Sequence, residues 1–243
     1  MARARQRFPS ADYIYYADTD HVPYGEKSRE EILQYSDDVV RYLVNRGVSA
    51  IVIACNTATS ISADFLREKY SLPIIGMEPA VKPAARSYPG KRILVCATPV
   101  TIAGQKLRSL IENSFDNEDE KPTLAAMPQL VNYAESAVFD PAIICSYLAE
   151  VIPNPSEYSA VVLGCTHFPY FSDSFIKYFG EDIELIDGTD GTVNRLISIL
   201  GDMGYQKEEE KGRIEYVHSG RSVTDERTIE YMETLARRSL KKR

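Results

Sequence analysis

Two stretches of this 243-residue chain match each other: Ser49–Cys55 reads SAIVIAC and Ser159–Cys165 reads SAVVLGC. Four positions are identical, and the other three differ only as Ile/Val, Ile/Leu and Ala/Gly. Each run is short, apolar and β-branched, which is the pattern of a buried strand. Each ends on a cysteine followed by polar residues and a helical stretch. The second cysteine follows the first by 110 residues, about the length of one small domain. A duplicated α/β lobe accounts for the match.

Outward from the repeat, strand-like and helix-like runs alternate. Asp12–Ala17, Ala50–Ala54, Ile74–Gly76, Arg92–Ala97, Ala160–Leu163 and Ile183–Ile186 read as buried strands. Ser28–Asn45, Thr59–Tyr70, Thr101–Asn113, Pro141–Val151 and Asp173–Phe179 read as helices. Ser28 with Glu31 has the form of a capping box, and Gly47 sits where that helix would stop. Asp116–Pro122 and Pro153–Pro155 read as a loop and a turn. Lys207–Lys211 reads as a charged linker before a last strand, Ile214–Val217, and a C-terminal helix.

Strand and helix in alternation predict an α/β fold of two pseudo-symmetric lobes, each a parallel sheet flanked by helices. Ligands of such sheets gather at the carboxyl ends of strands, so the active site is expected in the cleft between the lobes. The expected boundaries are 1–89 for the first lobe, completed by 189–243, and 90–188 for the second. The second lobe opens with the strand at Ile93, 72 residues before its cysteine, whereas 54 residues precede Cys55. That difference predicts that the first strand of the first lobe lies upstream of Met1.

Composition narrows the function. With net charge −7 and pI about 5.2, the chain lacks the basic face that phosphate neutralisation requires, which excludes nucleic acid as a partner. The basic tail Arg237, Arg238, Lys241, Lys242 and Arg243 reads as a solvated helix end. No apolar run approaches the roughly 20 residues of a membrane span, and the N-terminus lacks a secretory signal, so a soluble cytoplasmic protein is expected. The four cysteines show neither Cys-x-x-Cys spacing nor a nearby His pair, which argues against zinc and against structural disulfides. No phosphate-binding glycine loop is present.

Cysteines at equivalent strand ends of two lobes would face each other across a shared cleft. A planar carbanion between two such thiols can lose a proton to one side and gain one from the other, which is racemisation. The base must be a thiolate, and a helix N-terminus at each strand-to-helix turn is expected to lower the thiol from its usual pKa near ~8.5. Asn56, Thr57 and Thr166 add short polar groups at the same turns, suited to an α-carboxylate and to developing negative charge. Cys96 and Cys145 lack this matched context and read as small buried hydrophobes.

The segments Ala54-Cys55-Asn56-Thr57-Ala58-Thr59 and Gly164-Cys165-Thr166-His167-Phe168-Pro169 resemble the two cysteine motifs of bacterial glutamate racemases. Pro23-Tyr24-Gly25, shortly after Tyr15-Tyr16-Ala17-Asp18-Thr19, is similar to a third motif of that family. The resemblance runs over roughly Phe8 to Leu200. It implies that Cys55 and Cys165 are the paired proton donor and acceptor. It also implies that Tyr24, Gly25, Asn56, Thr57, Thr166 and His167 border the substrate, with His167 assisting Cys165. Glu135 falls where the family carries an acidic residue near the site. The family needs no pyridoxal phosphate and no metal, and its substrate is glutamate, racemised to supply D-glutamate for peptidoglycan. Family members begin with a strand ending in Asp-Ser-Gly, which has no counterpart in this chain. Aspartate or hydantoin racemisation is the nearest alternative; against it, the resemblance associates the Gly-Cys-Thr-His form with glutamate enzymes. A non-catalytic amino-acid-binding remnant is a reading of a different class. The resemblance leaves the oligomeric state open, a homodimer included.

Overall fold

The computed structural model describes residues 1–204 and 211–239. In chain order the elements are α1 (Ala2–Arg7), β1 (Tyr13–Ala17), α2 (Arg29–Asn45), β2 (Ile51–Ile53), α3 (Asn56–Lys69), β3 (Ile74–Gly76), α4 (Val81–Ser87) and β4 (Ile93–Ala97). There follow α5 (Pro99–Ala103), α6 (Gln105–Glu112), β5 (Thr123–Ala126), α7 (Pro128–Glu135), α8 (Pro141–Val151), β6 (Ala160–Leu163), α9 (Ser172–Phe179) and β7 (Glu184–Asp187). The last are α10 (Thr189–Asp202), β8 (Ile214–His218), β9 (Arg221–Ser222) and α11 (Glu226–Arg238). The alternation is that of an α/β protein. Most of the expected linker at 207–211, and the end of the basic tail, lie outside the described residues.

The second half holds a four-stranded parallel sheet in the order β5-β4-β6-β7. Its central strand β4 is buried along its whole length, as expected for a parallel sheet covered on both faces. Side chains alternate between those faces. Leu94 and Cys96 pack with Leu130, Ile144, Leu148 and Phe175 of α7, α8 and α9. Ile93 and Val95 pack with Val81, Ala84, Leu107 and Ile111 of α4 and α6. Cys96 is thus a core residue, and burial pushes its thiol well above the usual range. Cys145, also outside the matched pair, donates to the Ser174 carbonyl at 3.6 Å.

The first half is layered the same way but paired differently. β1 is parallel to β8, which turns into β9; β2 is parallel to β3. Among the described residues these are two separate sheets, so β1 and β2 each have an edge with no strand beside it. Helices still bridge them. Val40 and Leu43 of α2 and Leu66 of α3 form one cluster with Ile14, Ile51 and Ile74, while α1 and α10 cover the other face through Ala4, Phe8, Val193 and Leu196. No helix among the described residues is long and apolar enough to cross a membrane.

Local signals explain the element ends. The Ser28–Glu31 capping box is present in both directions, and Gly47 takes φ +73° after α2 stops. Two sequence-based boundaries need correction. The helix expected from Thr59 starts at Asn56, because Cys55 itself is the N-cap. The helix expected over Thr101–Asn113 is two helices, since Gly104 adopts extended geometry between α5 and α6 and Thr98 caps a new start with Pro99 behind it. The pairing pattern predicts uneven amide protection. Hydrogen exchange should be at least tenfold slower in β4 and β6, each bonded on both sides, than in β1 and β2. Equal protection across these four strands would contradict the sheet assignment.

Candidate active site

Cys55 and Cys165 each stand just beyond the end of a parallel strand, one in each half of the molecule. Cys55 follows β2 and caps α3, its Sγ accepting from the Ala58 N–H at 3.5 Å. Burial pushes its thiol up to about 11, against the Ala58 hydrogen bond; nearby charge on Cys165 adds to the rise, and the Thr57 main-chain and side-chain groups oppose it. The expectation that a helix N-terminus brings Cys55 down is therefore overturned. These bonds together offset less than the loss of water around a thiolate costs. Cys55 is an acid at neutral pH.

Cys165 lies in different surroundings. Gly164 lets the chain pass close over β4, since a Cβ there would sit 2.8 Å from the Cys96 carbonyl oxygen. Beyond Cys165 the chain forms a 3-10 turn, Phe168–Phe171, and α9 begins only at Ser172. No α-helix N-terminus abuts this thiol, contrary to the sequence reading. Its neighbour is His167, whose Nδ1 lies 3.7 Å from Sγ, and whose Nε2 lies 2.7 Å from Glu135 Oε1 at the end of α7. Burial disfavours the imidazolium, but hydrogen bonds and charge from Cys165 and Glu135 outweigh it and raise His167 to about 10. The doubly protonated ring then donates to both partners.

The other expected residues fall around these two centres. Tyr24 and Gly25 occupy a 3-10 turn, Tyr24–Glu26, whose Gly25 comes so near Thr98 that a Cβ would meet its side chain at 3.0 Å. The Tyr24 hydroxyl is raised far above its usual range by burial, by Asp18 and by charge on Cys55. Asn56 opens α3, is buried, and has an Oδ1 without a hydrogen-bond partner among the described residues. The Thr57 hydroxyl meets Thr98 at 2.9 Å and Thr101 at 3.2 Å inside the protein. Thr166 is partly exposed beside Cys165. Sequence reading missed Tyr170, held high by burial and by charge on Tyr15, Glu135 and Cys165; its only signal was a place five residues beyond Cys165. It also missed Asp18 as a bonding partner of Tyr24, at 2.6 Å.

A cavity of 320 Å³ bordered by β5 and the end of α8 shares none of these residues, and its lining carries no comparable cluster of acid–base groups. Among the described residues no group of three or more His, Cys, Asp or Glu is arranged to hold a metal ion.

The raised His167 has a definite pH signature. Its folded value lies above the ordinary 6.5, so its contribution to stability is full below that value and is lost as pH rises through about 10. NMR titration of the His167 imidazole should give a midpoint near 10. Glu135→Gln should lower that midpoint by more than one unit. A midpoint near 6.5 in both proteins would refute the relay geometry.

Known proteins resemble this chain over nearly its whole length. The family profile described as Asp/Glu/Hydantoin racemase matches residues 1–196. A glutamate racemase of Lachnospira eligens is 46% identical over 247 residues, covering 98% of this chain and 92% of the relative. Glutamate racemase 2 of Bacillus subtilis is 41% identical, covering 91% and 84%. Among solved structures, Escherichia coli glutamate racemase in complex with L-glutamate and an activator superposes with TM-score 0.78 at 25% identity, covering 98% of this chain and 89% of that one. The Bacillus anthracis isoform RacE1 superposes with the same TM-score at 27% identity, covering 88% and 81%. The matched profile and the extent of these likenesses mean that the chain belongs to the Asp/Glu/hydantoin racemase family.

Proposed function

We propose that this protein interconverts L- and D-glutamate without a cofactor, with Cys55 and Cys165 as the two proton-transfer groups. The observation that carries the reading is the pair of strand-end thiols with opposite environments. Cys55 is a half-buried thiol held protonated at a helix cap, and Cys165 faces the His167–Glu135 pair. In one direction Cys165, as thiolate, takes the α-proton of the bound amino acid. The electron pair left on the α-carbon delocalises into the carboxylate, and the Cys55 S–H delivers its proton to the opposite face. The product leaves Cys165 protonated and Cys55 as thiolate, the state suited to the reverse direction. His167, bonded to Glu135, donates toward the Cys165 sulfur and stabilises its negative charge.

Tyr24, Gly25, Asn56, Thr57 and Thr166 border the substrate in this reading, Thr57 through its main chain. Two lobes meet at the site, 1–89 with 189–243 and 90–188; the separate sheets and the packing of α1 and β1 against α10 and β8 support joining the chain's two ends, while α4, at the end of the first segment, packs on the sheet of the second. The glutamate racemases among the relatives support glutamate as the substrate. The D-glutamate would enter peptidoglycan in the cytoplasm and so serve cell-wall construction and cell shape.

Circular dichroism of L-glutamate during turnover tests the assignment. Cys55→Ala and Cys165→Ala should each abolish racemisation, because one remaining thiol cannot serve both faces. Wild-type turnover in D2O should place solvent deuterium at the product α-carbon. Near wild-type racemisation in either variant, or product without deuterium, would sink the two-thiol reading; L-aspartate turned over faster than L-glutamate would move the substrate. Asn56→Ala and Thr166→Ala should each lower kcat/KM about ten- to a hundredfold, the loss of one hydrogen bond to a charged group.

A further inference from the structure

Asp18 lies just beyond β1, with its side chain 11% exposed. Donors from three directions converge on its carboxylate. The Tyr24 hydroxyl donates to Oδ2 at 2.6 Å, and His21 Nδ1 lies 2.8 Å from Oδ1 and 2.9 Å from Oδ2. The Ser219 hydroxyl donates to Oδ1 at 3.1 Å. Ser219 belongs to the tight turn between β8 and β9, where it takes φ +43° and Gly220 takes φ +82°. The Ser219 N–H is bonded to the Ala17 carbonyl at 2.8 Å, and its hydroxyl also accepts from the Asp20 N–H at 3.0 Å. The His21 ring is stacked on Tyr35 of α2, 3.8 Å between centroids. One carboxylate thus joins the end of β1, the β8–β9 turn and the turn that carries Tyr24 and Gly25.

We propose that Asp18 is a positioning residue for substrate binding, fixing the Tyr24–Gly25 turn against Thr98 and the Cys55 side of the cleft through its bond to the Tyr24 hydroxyl. This rests on the reading of the two-cysteine cleft as the catalytic site. Two physical consequences follow. The Tyr24 proton is committed to Asp18, so the phenol oxygen offers only lone pairs to anything else that meets it. The backbone of the turn is also held at both ends of a short path, by Asp18 at Tyr24 and by the close Thr98 contact at Gly25. Such a fixture lowers the cost of ordering the turn when substrate arrives, without touching the reacting atoms. Its loss therefore appears in KM.

The test is steady-state racemisation of L-glutamate by the full chain, with thermal midpoints measured in parallel. Asp18→Ala should raise KM at least tenfold while kcat changes less than threefold. Asp18→Asn, whose amide oxygen still accepts from Tyr24, should fall between Asp18→Ala and wild type. Tyr24→Phe should raise KM similarly, and Asp18→Ala combined with Tyr24→Phe should have a KM no higher than the more impaired single variant, because both remove the same Asp18–Tyr24 bond. Asp20→Ala is the control. Asp20 is tied to the same hairpin by two bonds to Arg221 at 2.8 and 2.6 Å, but does not bond Tyr24, so its KM should stay within twofold of wild type. An unchanged KM in Asp18→Ala overturns the proposal, as does additivity in the double variant or an equal KM rise in Asp20→Ala. If Asp18→Ala does not fold, Asp18→Asn and Tyr24→Phe carry the test, and wild-type KM in both overturns it. Failure of the site reading looks different: Cys165→Ala would remain active whatever the Asp18 variants do.

Discussion

Three buried hydroxyls hold the two halves of the site in register. Thr57 comes from the start of α3 in the first half, and Thr98 and Thr101 come from the cap and first turn of α5 in the second. They lie 2.9, 3.2 and 3.0 Å apart, and none is more than 4% exposed. A hydroxyl has one proton and two lone pairs, so a closed ring of three lets each donate once and accept at least once. Breaking one member would leave buried partners unsatisfied, at about 1–3 kcal/mol each. Cys55 precedes Thr57 by two residues, and Gly25 rests on Thr98. The spacing between the starts of α3 and α5 is therefore set by these three hydroxyls.

The asymmetry between the thiols follows from where the halves stop resembling each other. The stretches carrying β2 and β6 align without a gap up to the cysteines, and then the paths diverge. After Cys55 an α-helix starts at once, so its sulfur meets the first N–H groups of that helix and, among the described residues, no cation. After Cys165 the chain turns through Thr166 and His167, which places an imidazole and a carboxylate behind the sulfur. On the proposed two-thiol reading, a symmetric reaction is served by two chemically different supports for the same atom. Desolvation raises the Cys55 thiol, whereas Cys165 has an imidazolium beside it.

The cysteines, their strands and the polar residues after them were legible in the sequence because the repeat marks them. Helix α2 was legible to its last residue because Ser28, Glu31 and Gly47 are local signals. What failed was also local in cause. Thr98-Pro99 is a cap followed by a proline, a start signal that the apolar periodicity across Gly104 concealed. β5 has only four residues with two exposed, and α7 begins on Pro128 without a capping side chain, so neither displays a clean period. The Thr57–Thr98–Thr101 ring and the Asp18 junction could not be read at all. Each depends on residues 41 or more positions apart whose meeting is fixed only by the packed sheets.

The pairing of β1 with β8 also orders assembly in time. The sheet of the second half uses a contiguous stretch, 93–187, and can close as soon as that stretch has left the ribosome. β1 must wait for a partner about two hundred residues later in the chain, and Asp18 waits with it for Ser219. Long loop closures of this kind form late. Both cysteines would therefore be in place before the turn carrying Tyr24 is fastened; on the proposed reading, a growing chain holds its chemistry before it can hold its substrate.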